Sequence, residues 1–296
     1  VILLLASTPS ITSAQRVDIE SRTVDVDGIA MRVQTAGWQH LESGRAIIVM
    51  ENGAGAPVEA WQPVLAKLAD FAPVLAYDRS GVGESPWDGE PPTPQHVNDR
   101  LRVLLQQFGA EPPYVLVGFS WGGPLIQYFA AHWPDEVAGL VFIDAPELAW
   151  RREAERAVLA ELGSEAENGA YYRAFQDEIA KVPPGNQAEL RVIEDLVTGD
   201  PPGWAAPPQP EVPVARLVAG RHTPPPPGIE FPFDEEAFWQ GLLRYGVRRF
   251  AESLPTGPDV TFIVATYARH YMMGDDPELV IDAIRRVHSQ AARRGR

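Results

Sequence analysis

The sequence predicts an α/β fold: a mostly parallel sheet flanked by helices, with a helical cap inserted before the penultimate strand. Three observations predict it. Short apolar, β-rich runs alternate with helix-length segments from residue 46 to 144 and again after 211. One such run, Tyr114-Val115-Leu116-Val117, passes through Gly118-Phe119-Ser120-Trp121-Gly122-Gly123 directly into the helical apolar spacing of residues 124–131. Between 146 and 210 the alternation stops, and charged helical stretches broken by Gly and Pro replace it. A chain of 296 residues suits one large domain or two small ones, and 45% hydrophobic residues suffice to bury its core.

Taken in order, the chain opens with the apolar run Val1-Ile2-Leu3-Leu4-Leu5-Ala6, followed by small and polar residues to Ala14. This pattern reads as the end of a secretory signal, with cleavage after Ala14 and a secreted or periplasmic location. The run is too short to span a bilayer. Val24 and Val26, the turn pair Asp27-Gly28, then Ile29, Met31 and Val33 read as a hairpin. Residues 46–50 form a wholly apolar strand, ending in the loop Glu51-Asn52-Gly53-Ala54-Gly55, and a helix follows over 58–69. The strand 73–77 leads through a Gly-rich loop and a Pro-rich one to a helix over 95–108. After the serine-bearing turn and its helix comes the strand 137–143, closed by Asp144.

The segment 146–210 is too long for a simple connection, and its helical stretches (151–161, 171–181, 187–197) read as a cap or lid. The core pattern resumes with strands at 212–219 and 260–265 and helices at 235–254 and 277–288. The domain reading is therefore a signal remnant (1–14), a first core part (15–145), the cap (146–210) and a second core part (211–296).

Composition excludes several functions. A formal net charge of -15 argues against nucleic acid, which needs clustered Lys and Arg, and against docking on an anionic membrane. With no cysteine there is no disulfide framework, thiolate nucleophile or Cys-based metal site. The remaining chemistry converges on Ser120. The pattern G-x-S-x-G between a strand and a helix is a nucleophile elbow, whose glycines relieve crowding at a strained serine. A helix N-terminus directly behind that serine favours negative charge developing there.

A serine hydroxyl is a poor nucleophile until a base within hydrogen-bond reach takes its proton. Of the six histidines, His40, His96, His132 and His288 read as surface or packing residues, and His222 is hemmed by Arg221 and prolines. His270 follows the last strand and precedes the last helix, near the strand ends where open parallel sheets carry their sites. It is the candidate base.

Several pieces then carry a family resemblance. They are residues 51–55, the stretch Tyr77-Asp78-Arg79-Ser80-Gly81-Val82-Gly83-Glu84-Ser85, the elbow at 117–123, and Trp133-Pro134-Asp135-Glu136-Val137 with Leu140-Val141-Phe142-Ile143-Asp144. His270 ahead of Asp276-Pro277-Glu278-Leu279-Val280 completes the set. With them the chain resembles the α/β-hydrolase family, in particular its lidded, serine-esterase-like bacterial members, over essentially its whole length after residue 20.

The resemblance implies an oxyanion hole from two backbone N–H groups, one of Trp121 and one of Ala54, with Gly53 as the second choice in that loop. It leaves the triad acid open. Most members carry it after the strand that here ends at Ala219, but that loop has no carboxylate before Glu230. A minority use the preceding strand, which ends in Asp144. Asp144 is the first candidate, with Glu147, Glu230 and Asp234 as alternatives.

The expected activity is a carboxylic ester hydrolase acting through an acyl-enzyme on a small-molecule ester. No metal or organic cofactor is implied. The cap and entrance offer aromatics from Trp150, Tyr171, Tyr172, Phe175, Trp204, Phe231, Phe233 and Trp239. An aminopeptidase or amidase, an acyltransferase, and a non-catalytic ligand-binding protein of the same fold are the alternatives. A serine at the elbow counts against haloalkane dehalogenase and epoxide hydrolase chemistry, which the family performs with a carboxylate there.

Overall fold

A computed structural model describes residues 18–41, 45–164, 173–198, 209–225, 227–253 and 259–294. The signal-like residues 1–14 and the aromatics Tyr171, Tyr172 and Trp204 lie outside the described residues. The strands are β1 (Ile19–Val26), β2 (Ile29–Ala36), β3 (Ile47–Glu51), β4 (Val74–Tyr77), β5 (Tyr114–Phe119), β6 (Val137–Ile143), β7 (Val214–Ala219) and β8 (Val260–Ala265). They form one sheet in the order β1-β2-β4-β3-β5-β6-β7-β8. β2 pairs antiparallel with β1 and β4, and every later pairing is parallel.

Local chemistry explains these elements. The hairpin turns at Asp27 (φ 49) and Gly28 (φ 84), the paired positive φ values a two-residue turn of this kind needs. β3, β4 and β5 are buried along their whole length, which is why they read as unbroken apolar runs rather than alternations. Their side chains still alternate between two cores. Ile48 and Met50 pack on one face with Leu65, Ile281 and Ile284; Ile47 and Val49 pack on the other with Leu101 and Phe129.

Those partners come from four helices: α1 (Gln62–Ala69), α2 (Pro94–Gln107), α3 (Gly122–His132) and α9 (Pro277–Arg294). α2 starts where Thr93 accepts the His96 N–H (3.2 Å) and Pro94 follows. α9 runs past the predicted end at 288, because Gln290 and Ala291 remain buried and Arg294 reaches Asp259 (2.9 Å) and the Glu211 carbonyl (2.6 Å).

Between β6 and β7 lie α4 (Leu148–Glu161), α5 (Gln176–Ile179) and α6 (Pro184–Thr198). α7 (Glu235–Ser253) joins β7 to β8, and a short α8 (Met272–Asp275) precedes α9. The sequence assigns α7 to the second core part. In the structure its apolar face meets α4: Phe238, Leu242 and Tyr245 pack on Ala154, Val158 and Leu159. Gly241 permits the approach, since a Cβ there would lie 2.3 Å from Val158 Cγ1.

Candidate active site

β5 ends at Phe119, Ser120 takes φ 51, and α3 begins at Gly122. This left-handed backbone is costly for a side chain and persists only where neighbours hold it. The Ser120 N–H donates to the Ile143 carbonyl (3.0 Å), and the Ser120 carbonyl accepts from the Gly123 N–H (2.9 Å). A Cβ on Gly118 would lie 2.5 Å from the Gly122 carbonyl oxygen, and one on Gly122 would lie 2.2 Å from that of Glu51. Both glycines are thus imposed by backbone packed against backbone.

Asp144, at the carboxyl end of β6, also sits at positive φ (41), with its N–H bonded to the Leu217 carbonyl (2.8 Å). Its Oδ1 accepts the Ala219 N–H (2.8 Å), which turns Oδ2 towards His270. His270 Nδ1 lies 2.6 Å from Asp144 Oδ2, and His270 Nε2 lies 3.0 Å from Ser120 Oγ. The imidazole lies against the Phe119 ring, centroids 4.9 Å apart, and the His270 N–H donates to Thr223 Oγ1 (3.1 Å). Its loop is closed by Asp275, which accepts the Arg269 N–H, Nε and Nη2 at 2.8, 3.0 and 2.8 Å. Those bonds hold the Asp275 carboxyl down at about 2.

The other carboxylates are elsewhere. Glu147 faces Gln127 (3.4 Å) and Arg216 (3.5 Å), Glu230 is exposed, and Asp234 caps α7 by accepting the Ala237 N–H (2.9 Å). Arg216 lies between the Phe142 and Phe250 rings (4.2 and 4.3 Å), and burial pushes its pKa down to about 10. The remaining histidines are similarly engaged. His222 stacks on Trp239 (5.4 Å) between Glu235 and Glu236, His96 pairs with Asp88 (2.8 Å), and His132 stacks on Tyr128 (3.8 Å).

Beside Ser120 opens a cavity of about 460 Å³ whose wall includes Ala54, Trp121, Asp144 and His270. The Ala54 and Trp121 N–H groups have no hydrogen-bond partner among the described residues. The rest of the wall is largely apolar, with Trp150, Phe175 and Trp239 from the aromatics singled out in the sequence. Phe233 instead packs with Phe238 (4.6 Å), and Phe231 lies against Phe175 and Phe233. Leu190 and Ile193 of α6 and Leu243 and Phe250 of α7 also line it. Sequence reasoning missed these four, because an amphipathic pattern reveals an apolar face but not what it faces.

It also missed a buried cluster behind residues 51–55, in which Arg79 stands between Glu51 and Glu189. A charged residue at the end of an apolar strand was the available signal. Among the described residues no group of three or more His, Asp or Glu is placed to hold a metal ion, and no helix is long and apolar enough to cross a membrane.

Residues 46–163 match the family model described as the alpha/beta hydrolase fold. Esterase Rv0045c of Mycobacterium tuberculosis is 30% identical over 169 residues, 54% of this chain and 55% of that one. Lipase LipV of the same organism is 35% identical over 102 residues, 34% and 38% of the two chains. The chain spans about half or less of the length of the curated relatives it matches. Among solved structures, Cfl2 from Burkholderia cenocepacia superposes with a TM-score of 0.57 over 90% of this chain and 95% of that one, at 19% identity. With its eight-stranded, mostly parallel sheet, the chain has the α/β-hydrolase fold.

Proposed function

We propose that this chain is a serine hydrolase that cleaves small to medium, uncharged carboxylic esters through an acyl-enzyme. One observation carries the reading: Ser120 Oγ, His270 and Asp144 stand in an unbroken hydrogen-bonded line of 3.0 and 2.6 Å. His270 takes the Ser120 proton as Oγ attacks the ester carbonyl, then returns it to the departing alcohol. Asp144 orients the imidazole and stabilises its charged form. The Ala54 and Trp121 amides receive the oxyanion, a contribution of roughly 10²–10³ in rate per donor. Water attacks the acyl-enzyme by the same route in reverse.

The apolar wall favours an uncharged acyl group, and α4 and α6 act as the cap over it. The names of two of the curated relatives, an esterase and a lipase, agree with this chemistry. The peptidase alternative needs a carboxylate waiting for the substrate amine. Glu147, which lines the cavity, already faces Arg216 and Gln127, which favours the ester.

Nitrophenyl esters of increasing acyl length, assayed on the wild type, Ser120→Ala, Asp144→Asn and Glu230→Gln, test the proposal. Ser120→Ala should lower kcat by about 10³-fold or more and Asp144→Asn by about 10²–10⁴-fold. Glu230→Gln should turn over normally. Near-normal turnover in Asp144→Asn with collapse in Glu230→Gln would reassign the acid; full activity in Ser120→Ala would end the hydrolase reading.

A further inference from the structure

Arg79, just beyond the end of β4, is buried at 2% exposure, and its guanidinium is fully engaged. Nε donates to Glu189 Oε1 (2.5 Å), and Nη2 to Glu189 Oε2 (3.0 Å) and the Gly53 carbonyl (2.7 Å). Nη1 donates to Glu51 Oε1 (2.7 Å) and the Asn52 carbonyl (2.8 Å). Glu189 belongs to α6, in the inserted segment, and its Oε2 also accepts the Gly55 N–H (2.7 Å). The helix is docked closely here. A Cβ on Gly185 would lie 2.4 Å from Gly81 Cα, and one on Gly55 would lie 2.8 Å from Asn186 Nδ2.

These bonds determine where one amide points. In a trans peptide the C=O and the following N–H face opposite ways, and the Gly53–Ala54 bond is trans. Arg79 draws the Gly53 carbonyl to its own side, so the Ala54 N–H faces away from Arg79. Ala54 lines the cavity with Ser120. The Gly55 N–H, the neighbouring donor, is already taken by Glu189.

We infer that Glu189 and Arg79 are positioning residues: together they hold the Gly53–Ala54 peptide so that the Ala54 N–H is aimed at the oxyanion, and the inserted helix α6 thereby completes the catalytic apparatus. This rests on the serine-hydrolase reading above. Two carboxylates share one guanidinium, and burial raises the Glu51 pKa although Arg79 and the Tyr77 hydroxyl (2.5 Å) oppose it. Replacing Glu189 by glutamine therefore leaves one carboxylate opposite one guanidinium and strands no ion. The single amide oxygen, however, cannot serve Arg79 and the Gly55 N–H as two carboxylate oxygens do.

The experiment compares wild type, Glu189→Gln, Arg79→Lys and, as an α6 control, Glu194→Gln in the full chain. It measures kcat and KM with a nitrophenyl ester, Ki for a trifluoromethyl ketone that forms an oxyanion adduct, and thermal unfolding. Expected for Glu189→Gln and Arg79→Lys is a 10–100-fold fall in kcat with KM within twofold. The ketone should bind more weakly by a similar factor, and Glu194→Gln should match the wild type.

A loss confined to KM or to thermal stability, with ketone affinity kept, would overturn the inference and leave the hydrolase reading standing. Should one variant fail to fold, the other decides. If neither folds, the cluster holds the fold rather than aiming an amide, and the inference falls. Wild type that neither turns over an ester nor is labelled at Ser120 by a fluorophosphonate would overturn both readings together.

Discussion

At the scale of single residues, Ser120 and Asp144 both sit at positive φ without being glycine, each at a strand end and each anchored through its own N–H. Backbone strain of this kind is held by surrounding structure and accumulates where geometry matters for chemistry. His270 is different: its loop is closed by side chains, Asp275 on Arg269 and Thr223 on the His270 N–H. Far from the site, His288 lies buried, its Nε2 bonded to the Ala46 carbonyl (3.0 Å) and its ring against Phe71 (5.7 Å).

Burial pushes the His288 pKa below the ordinary histidine value; the Ala46 bond opposes this, and nearby Arg45 adds to it. The unfolded chain therefore binds this proton more readily than the folded one. Stability from neutral His288 is whole above the unfolded pKa of about 6.5 and is lost as pH falls through the lower folded value. Thermal melts between pH 7 and 5 should show a falling Tm for the wild type and a flatter profile for His288→Gln. Parallel profiles would show that other groups set the acid response.

At the scale of elements, the elbow is a tightly constrained junction. β5, β3 and α3 meet where Gly118, Gly122 and the Glu51 carbonyl leave no room for a methyl group. Gly122→Ala should therefore cost about 2–3 kcal/mol of stability, as overpacking does, measured as a lowered midpoint of urea unfolding. A variant as stable as the wild type would contradict this packing.

Strand and helix positions were largely legible from sequence, since apolar runs, Thr93-Pro94 and Asp27-Gly28 all act locally. The end of α9 was not, because its last turns are held by Asp259 and Glu211 from loops distant in the chain. The expected helix over 171–181 is described only as α5, at Gln176–Ile179.

At the scale of the whole molecule, the cavity is shared between strand ends, the helices between β6 and β7, and α7. α7, although it follows β7 in the chain, packs on α4 beside this cavity. If this shared wall holds the acyl group, Leu243→Trp should shorten the accepted chain. Acetyl esters should keep their kcat/KM, while octanoyl esters lose about tenfold or more, within the reach of a changed apolar contact. Equal effects on both would place the acyl chain elsewhere.

The sequence by itself determined the alternating fold, the strained serine between strand and helix, and which histidine stands near the strand ends. Periodicity, turn residues and chain order carry that information, and each acts over a few residues. Only the tertiary structure decided which carboxylate faces His270, for the two are separated by 126 positions and Glu147, Glu230 and Asp234 were equally compatible with chain order. The same holds for Arg79, readable as a charge at a strand end. Its two carboxylate partners come from different layers, and only packing brings Glu189 110 positions back to meet it.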